Sequence, residues 1–473
     1  MTNILLLHPS RKLLGSRDNL FTNESLVPSL GLASVAAYCR VNGIEPAILD
    51  LRLEGKEMAE VYERIEKLKP ALIGITAFTA EITAAGVLAG LLKQKYPEIP
   101  IVVGGPHPSA MPCETLTEFA HFDVAVRGEG EKTIVELANS VRNGAFSGLD
   151  GIRGIAFRNG GAVVATPPRE PLEDISGLPF PAWDLFELNL YNRIFPLSAS
   201  RGCPHRCYFC TPDYLGKKVR IKNYEKVADE IAWLVNSFGA RRIQFADAMV
   251  GLLKDESLLM YDKLIASGLS KKILWDCETR ADAVTLPLFL KMKAAGCEWV
   301  ALGVESGNER ILREVVRKGE TKEQIIRAVQ LAKQAGLKVR AFFIMGHHTE
   351  TAATMRETID FALQLNPDAL AFGLIVPNPG SQLRKIAETP GSGLRVLHNR
   401  WEDYQQFNYN CLESETFPLA ELKKWQSKAY FIFYAHHPLK ALGLFFSGSA
   451  YNYRLSGFFK LPLMLLRNLL KTR

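Results

Sequence analysis

Residues 200–210 read SRGCPHRCYFC and place three cysteines, Cys203, Cys207 and Cys210, within eight positions. Three thiolates at this spacing can wrap one loop around three corners of an iron–sulfur cubane, whereas four thiolates would close every iron. The open iron can then bind and activate a small molecule. The alternative is a zinc site, but structural zinc usually takes four ligands in separated pairs, and no second pair is near. The spacing therefore predicts a site-differentiated [4Fe–4S] cluster.

The other cysteines are isolated along a chain of 473 residues, which argues against a disulfide scaffold. The run Met1–Leu7 lacks the basic start and the small-residue cleavage site of a signal peptide. Together these features predict a protein of the reducing cytoplasm. The apolar fraction of 47% and the charged fraction of 23% are typical of a globular chain, and the length suggests two to three domains.

Six short apolar segments alternate with helical stretches from the cysteine loop onward. The predicted strands are Leu197–Ser200, Arg242–Ala246, Ile273–Asp276, Trp299–Val304, Val339–Met345 and Ala369–Val376. This α/β alternation predicts a partial (β/α)6 TIM-like barrel over residues 190–400, with catalytic groups on the loops at the carboxyl ends of its strands. Residues 401–473 are less regular and are expected to form a small C-terminal extension.

A similar alternation precedes the cysteine loop. Its five predicted strands lie at residues 3–8, 47–50, 71–76, 100–103 and 122–126. They predict a doubly wound, Rossmann-like parallel sheet over residues 1–145, whose ligand would sit at the carboxyl ends of the strands. The proline-rich residues 146–189 are predicted to be a linker.

The cysteine loop resembles the radical S-adenosylmethionine (SAM) superfamily, which has C-x-x-x-C-x-x-C with an aromatic residue before the last cysteine, after the first barrel strand. The resemblance covers residues 190–400. It implies that Cys203, Cys207 and Cys210 hold the cluster and that the amine and carboxylate of SAM chelate the open iron. It also implies that the backbone of Phe209 lies near the adenine.

Three further residues are similar to SAM-binding positions of that superfamily. Glu305, in Gly303-Val-Glu-Ser-Gly307, matches the acid that hydrogen-bonds the SAM ribose. Asp247 matches a segment that contacts the SAM amino group, although Ala248 stands where relatives have a second acid. Arg280 is placed to face the SAM carboxylate. For each of the three, the alternative is a salt bridge between barrel elements.

Two adjacent histidines, His347 and His348, follow the fifth predicted barrel strand, where relatives often have a Pro-Gly-Glu turn. Imidazole titrates near neutrality, so these residues could move protons or contact the substrate. The alternative is that they are surface histidines without a special role.

The first domain resembles the cobalamin-binding domain found ahead of many radical SAM barrels. The matching segments are Gly104-Gly-Pro-His107 and Arg127-Gly-Glu-Gly-Glu131, where glycine lets the backbone approach a bulky ligand. The resemblance assigns cofactor contacts to Thr76, Gly104, Gly105, His107, Gly128, Glu129 and Gly130.

The loop at residues 9–15 has no D-x-H-x-x-G pattern, so cobalamin is expected to bind without a histidine below cobalt. His107 is expected to contact the edge of the cofactor.

Together the two resemblances imply an enzyme that uses a [4Fe–4S] cluster, SAM and cobalamin. The expected reaction begins with cleavage of SAM to a 5′-deoxyadenosyl radical and ends in C-methylation from methylcobalamin, with an external one-electron donor of the flavodoxin or ferredoxin type. One alternative is oxidation, cyclisation or ring rearrangement of a hydrophobic, lipid-like or tetrapyrrole-like small molecule. Another is a front domain that has lost cobalamin and binds the substrate or a partner.

The C-terminal residues 437–473 carry six Lys or Arg and no acid among many Leu and Phe. This composition fits an amphipathic segment on the inner face of an anionic membrane, which would favour a lipid-like substrate. It equally fits a C-terminal helix packed on the protein. No apolar run is long enough for a membrane-spanning helix. The net charge of +7 is modest and no basic tract is interleaved with aromatics, so nucleic acid is not an expected partner.

Overall fold

The computed structural model describes residues 2–15, 27–53, 57–142, 146, 148–211, 216–250, 254–406 and 411–441. The chain divides into two compact units. The first is built mainly from residues up to Arg193 and includes residues 216–220. The second contains residues 194–210 and the described residues from Ile221 onward.

A seven-stranded sheet forms the centre of the first unit, in the order β2-β1-β3-β4-β5-β6-β7. Its strands are β1 (Thr2–His8), β2 (Ile44–Asp50), β3 (Leu72–Thr76), β4 (Ile101–Gly104), β5 (Val124–Val126), β6 (Ile155–Asn159) and β7 (Ala162–Ala165). The first five strands are parallel, and β6 and β7 add to the edge in antiparallel pairing. The predicted doubly wound sheet is thereby confirmed.

Six helices connect the strands of this sheet. They are α1 (Leu30–Val41), α2 (Met58–Leu68), α3 (Ile82–Lys95), α4 (Pro106–Ala110), α5 (Pro112–Glu118) and α6 (Glu131–Arg142). Ser29 caps α1 by accepting a hydrogen bond from the Leu32 amide, and small residues such as Ala33 and Ala36 let this helix pack closely.

The predicted linker of residues 146–189 begins with regular structure. Residues 155–165 form the β6–β7 hairpin, which turns at Gly160 and Gly161, both with positive φ (57° and 88°). Glycine adopts this backbone region at little cost. Sequence reasoning missed the hairpin because both strands are short.

The second unit contains six parallel strands in sequential order, from β8 at one edge to β13 at the other. They are β8 (Ile194–Leu197), β9 (Arg242–Phe245), β10 (Leu274–Thr279), β11 (Cys297–Glu305), β12 (Lys338–Met345) and β13 (Ala369–Leu374). The predicted partial (β/α)6 barrel is confirmed, although its first strand ends earlier than expected.

Helices separate the barrel strands and continue into the C-terminal region. They are α7 (Tyr224–Phe238), α8 (Lys254–Ala266), α9 (Leu286–Ala294), α10 (Lys322–Gln334), α11 (Ala352–Leu365), α12 (Gln382–Glu388) and α13 (Leu419–His436). A π-helical turn at Ile311–Val316 follows β11, and the short strands β14 (Leu394–Val396) and β15 (Leu412–Ser414) pair in antiparallel fashion.

Helix α13 covers the open edge of β13. Gln426 Nε2 donates to the Phe372 carbonyl (2.7 Å), and the Phe372 amide donates to the Tyr430 hydroxyl (2.9 Å). The Leu374 amide donates to the Gln406 carbonyl (2.7 Å). These bonds satisfy backbone groups that an edge strand would otherwise expose.

Most of the predicted amphipathic tail, residues 442–473, lies outside the described residues. Within the part of the chain that the structure describes, none of the helices combines the length and apolar character needed to cross a membrane.

Candidate active site

The cysteine loop leaves β8 at a point fixed by Asp247. Its carboxylate accepts hydrogen bonds from the Ala199 amide (3.0 Å) and the Ser200 hydroxyl (2.5 Å). Asp247 is buried, and burial raises its pKa to about 6 despite these bonds. Both of its oxygens therefore have partners at the entrance of the loop, which gives Asp247 a positioning role there.

None of the three cysteines of the loop forms a disulfide bond. Cys203 and Cys207 are half-buried, Cys210 is exposed, and the Cys210 amide donates to the Cys207 carbonyl (3.0 Å). Burial raises the pKa of Cys207 to about 12, while the nearby Lys318 and Arg280 oppose that rise. Metal coordination would deprotonate the thiols.

The donor set fits three corners of an iron–sulfur cluster, because one loop carries three cysteines that form no disulfide bond. The sulfurs do not converge on one point in this structure. Among the residues described, no set of three or more His, Cys, Asp or Glu side chains has a metal-binding arrangement.

Tyr208, between the second and third cysteines, anchors the loop in the barrel. Its side chain is 2% exposed and packs in an apolar cluster that includes Ile344 and Leu383. Its amide donates to the Val316 carbonyl (3.3 Å), and its carbonyl accepts from the Leu383 amide (2.8 Å). Sequence reasoning missed this residue, because its burial depends on elements that are distant in sequence.

Glu305 lies at the end of β11 in the left-handed region (φ 65°), where the pairing register with β12 shifts. Its carboxylate is buried, and burial raises its pKa while Lys318 lowers it. The two groups are 3.4 Å apart, and Lys318 also donates to the Gly303 carbonyl. A side chain at Gly303 would collide with both, since its Cβ would lie 2.3 Å from Glu305 and 2.6 Å from Lys318.

Arg280 extends the same charged network. It donates two hydrogen bonds to Asp282 (2.9 and 2.7 Å) and one to the Lys318 carbonyl (2.9 Å). Glu320 lies 3.0 Å from the Lys318 ammonium and 3.8 Å from Arg280, and it accepts from the Ala281 amide (2.7 Å). The barrel thus brings Arg280, Glu305 and the cysteine loop together around one buried lysine.

Lys318 and Glu320 were not singled out from the sequence. They belong to Arg317-Lys-Gly-Glu320, a charged stretch typical of an exposed turn. Only the fold shows that both side chains are buried, at 10% and 1% exposure. Burial of a charge is costly unless it is paired, so the pairing marks these residues as part of the site.

His347 and His348 occupy the turn after β12 and differ in surroundings. His347 is buried, and burial lowers its pKa to about 4, so its ring is neutral near pH 7. Its Nδ1 lies 3.0 Å from the Tyr208 hydroxyl. His348 directs Nε2 to the Ser392 carbonyl (2.9 Å). Neither residue is a fully exposed histidine.

Glu350 closes this turn. It accepts hydrogen bonds from the Gly346 and His347 amides (2.7 and 2.9 Å), and burial raises its pKa to about 7.

In the first unit, the residues predicted to contact cobalamin lie at the carboxyl ends of β3, β4 and β5. Gly105 has φ 108°, and a Cβ there would lie 2.8 Å from the Ala77 carbonyl oxygen. His107 is buried, its Nδ1 is 3.4 Å from the Thr79 hydroxyl, and burial lowers its pKa to about 4. Thr76 and Gly104 pair directly between β3 and β4.

Glu129 has a structural role within this unit. Its two oxygens accept from Arg220 (2.9 Å each), and one also accepts from the Leu172 amide (2.7 Å). Both charged side chains are nearly buried, at 6% and 5% exposure. The adjacent Gly128, with φ 83°, donates its amide to the Ser109 hydroxyl (3.0 Å). The carboxylate expected to touch the cofactor is therefore held by the protein.

A buried polar network at the ends of β1 and β2 was also missed. His8 Nε2 lies 3.3 Å from Glu81, while Asp50 accepts from Arg52 (2.7 Å) and from the Tyr191 hydroxyl (2.9 Å). The segment that begins Asp50-Leu-Arg52 imitates the D-x-H-x-x-G pattern with Arg in place of His, but it follows the second strand and is interpreted as a chance likeness.

Two protein families match separate parts of this chain. Residues 17–138 match the B12 binding domain family, and residues 197–362 match the Radical SAM superfamily. An uncharacterized methyltransferase of Pyrococcus horikoshii is 32% identical over 412 residues, which cover 86% of this chain and 88% of that protein. The chain belongs to the cobalamin-binding radical SAM family.

Two further comparisons support this assignment. The anaerobic magnesium-protoporphyrin IX monomethyl ester cyclase of Rubrivivax gelatinosus is 34% identical over 396 residues, covering 81% of this radical SAM protein and 69% of the cyclase. The radical SAM methyltransferase TsrM of Kitasatospora setae, solved with cobalamin and a [4Fe–4S] cluster, superposes with a TM-score of 0.75 at 18% identity over 99% of both chains. The likeness to TsrM shows a shared fold.

The predicted cofactors are accordingly those of this family: a [4Fe–4S] cluster, SAM and cobalamin. The chain is an enzyme that acts on a small molecule. Its own residues fit this assignment, since the cysteine loop lies beside a charged network suited to a zwitterionic ligand. In the first unit, Gly105 leaves no room for a side chain at the sheet edge where the ligand is expected.

Proposed function

We propose that this radical SAM protein methylates an unactivated carbon of a small-molecule substrate. The observation that carries the proposal is the match to a methyltransferase along 88% of that relative's length, across both the B12-binding and the barrel units. When bound, the cluster and SAM supply a 5′-deoxyadenosyl radical and cobalamin supplies the methyl group.

The residues of the barrel take distinct roles in this proposal. Cys203, Cys207 and Cys210 hold the cluster, and Tyr208 fixes the loop that carries them. The backbone of Phe209 lies along the adenine.

Glu305 accepts from the ribose, and Arg280 faces the SAM carboxylate. Lys318 opposes the rise in the pKa of Glu305 that burial causes, because a nearby cation favours the charged form of a carboxylate. Asp247 fixes the start of the loop instead of contacting SAM.

In the first unit we propose backbone-dominated binding of cobalamin. Gly104, Gly105, Gly128 and Gly130 allow close approach of the cofactor, and the polar groups beside them are Thr76 and His107. Because burial keeps His107 neutral above a pH of about 4, it contributes a hydrogen-bonding group without a charge. Glu129 stabilises the loop after β5 by accepting a hydrogen bond from Arg220.

The 34% identity to the cyclase favours a second candidate reaction. In that case the same cofactors would drive oxidation, cyclisation or rearrangement of a tetrapyrrole-like or lipid-like substrate, without methyl transfer. The two reactions differ in their SAM products. Methylation consumes one SAM to form the radical and another to restore the methyl group, so it yields 5′-deoxyadenosine and S-adenosylhomocysteine in equal amounts.

The deciding experiment uses anaerobically purified protein from cells supplied with cobalamin. The protein should contain about four irons and about one cobalt per chain. It is incubated with a reductant, trideuteromethyl-SAM and a small-molecule extract of the source cells. A labelled product together with both SAM products would support methylation, whereas 5′-deoxyadenosine without a labelled product would favour the second reaction.

We also propose that a cytoplasmic protein donates the single electron and that the C-terminal tail contacts the membrane. The basic tail composition supports attraction to anionic lipid. Sedimentation with anionic and neutral vesicles would test this, comparing the full chain with one that ends at Ala435. Equal sedimentation of the two proteins, with full activity of the shorter one, would contradict the membrane proposal.

A further inference from the structure

The buried ring of His347 has one nitrogen with a partner and one without. Its side chain is 1% exposed at the end of β12, and Nδ1 lies 3.0 Å from the Tyr208 hydroxyl. Nε2 is buried and makes no hydrogen bond within the described part of the chain. Buried polar atoms in native proteins nearly always have a partner, so this nitrogen points to a ligand.

The hydrogen-bond pattern determines which nitrogen carries the proton. The Tyr208 hydroxyl accepts a hydrogen bond from the His348 amide (3.3 Å). Its own proton is then available to His347 Nδ1, and this direction is the one that gives the buried Tyr208 proton an acceptor. Burial keeps the ring neutral, and a neutral imidazole has one donor and one acceptor nitrogen. The unpartnered Nε2 is therefore an N–H donor.

The surroundings of this donor identify the class of acceptor. The rings of His347 and Phe209 have centroids 6.2 Å apart. The backbone of Glu305 is close enough to favour the protonated ring, although it does not complete a hydrogen bond with Nε2. Phe209 and Glu305 are the residues proposed to hold the adenine and the ribose, so the free N–H lies beside the proposed adenosyl site.

We propose that His347 is a SAM-positioning residue whose Nε2–H donates to an acceptor atom of the adenosyl group. The adenine ring nitrogens and the ribose oxygens are acceptors of the required kind. Tyr208 contributes indirectly, since it fixes the tautomer of His347 and at the same time anchors the cluster loop. This inference rests on the SAM site of the proposed function.

The test compares variants that remove or keep the donor. His347→Phe retains the aromatic contacts and removes the N–H, and His347→Met does the same with a flexible apolar chain. His347→Gln keeps an amide N–H near the position of Nε2. SAM affinity is measured by equilibrium dialysis with the cluster-loaded protein, together with the change that SAM causes in the electron paramagnetic resonance spectrum of the reduced cluster.

We expect the two donor-free variants to bind SAM about tenfold more weakly, the effect of losing one hydrogen bond to a buried partner. His347→Gln should stay within about threefold of the wild type. Binding of methionine alone, which has no adenosyl group, should be unchanged in all three. His348→Gln is the matched control for SAM affinity, because the neighbouring ring already bonds the Ser392 carbonyl.

Unchanged SAM affinity in both donor-free variants at full iron content would overturn the inference and assign the N–H to a bound water. Equal losses for SAM and methionine would also overturn it, since they would show a displaced cluster loop. Should one donor-free variant lose iron, the other decides. A wild-type protein that fails to bind SAM at all would contradict the proposed function itself, which separates the two failures.

Discussion

The two carboxyl-terminal sheet edges, one in each unit, are built from different chemistry. In the barrel, Lys318, Arg280, Glu305 and Glu320 form a buried charged network beside the thiols. In the first unit the predicted ligand residues are glycine turns and a neutral histidine, and the charged pair Glu129–Arg220 is already internal. A small zwitterion is recognised by opposing charges, whereas a large flat cofactor is recognised by the shape of the backbone. The following predictions test that contrast.

The largest effect is expected from Cys203→Ala in the barrel. Loss of one of three thiolates should reduce iron from about four per chain to near zero and abolish SAM cleavage. Iron analysis and 5′-deoxyadenosine assay would measure this. Cys113→Ala, a cysteine of the first unit, is the control and should keep both. Retention of iron in the Cys203 variant would mean that the loop does not hold the cluster.

Next in size is Lys318→Met, which leaves Glu305 and Glu320 buried without their shared cation. Removing one partner of a buried ion pair costs about 3–5 kcal/mol of unfolding free energy. Urea denaturation would measure the loss. Lys338→Met is the control, because Lys338 is half exposed (53%) in its pair with Glu298 and should change stability by less than about 1 kcal/mol. Similar losses in the two variants would remove the distinction between a buried and a surface pair.

The stability of the barrel edge should also depend on pH, through Glu350. Burial raises the pKa of Glu350 from its ordinary value of 4.5 to about 7. The folded state therefore favours the protonated acid, and this stabilisation is present below pH 4.5 and is lost as the pH rises through 7. The slope from this group is at most about 1.4 kcal/mol per pH unit.

Glu350→Gln should remove that part of the pH dependence, because glutamine does not titrate, while its side-chain oxygen can still accept from the Gly346 and His347 amides. Urea denaturation of both proteins between pH 5 and 8 would measure how the difference between their free energies of unfolding changes with pH. A constant difference across this range would contradict the raised pKa.

The smallest effect is expected in the first unit, from Gly105→Ala. A Cβ there meets the Ala77 backbone at 2.8 Å, and φ is 108°, so the turn must shift. We expect cobalamin affinity to fall about tenfold, corresponding to about 1.4 kcal/mol, with iron content unchanged. Gly160→Ala is the control, since its φ is also positive but no atom lies within 4 Å of the added Cβ. Unaltered cobalamin binding in Gly105→Ala would contradict the proposal that the shape of the backbone determines cobalamin binding.

The sequence revealed most of the fold because the core strands are short, apolar and regularly spaced. The predicted strand at residues 71–76 and the observed β3 (Leu72–Thr76) differ by one residue. It also revealed the cysteine loop, since three metal ligands lie close together in the chain. The β6–β7 hairpin was missed because its strands are brief, although the glycine pair between them is typical of a hairpin turn.

Local sequence could not reveal which groups the buried polar side chains bond. Asp247 and Glu129 resemble ligand positions, yet their oxygens bond groups 47 and 91 residues away along the chain, at Ser200 and Arg220. Lys318 and Tyr208 gained importance only through burial, which depends on elements distant in sequence. The hydrophobic periodicity of a helix or strand predicts which of its faces is apolar, but it does not identify the polar group that bonds a buried charge.

The bonds from Tyr430 and Gln426 to Phe372 also determine where this protein can be divided. Helix α13 occupies the place that an additional strand would take beside β13. A chain ended near residue 400 would retain every proposed cluster and SAM residue but expose the backbone of β13. Such an edge can pair with the same edge of another copy. The C-terminal extension is therefore part of the smallest piece of the chain that can be expected to stay monodisperse, and a minimal catalytic fragment should retain Gln426 and Tyr430 of α13.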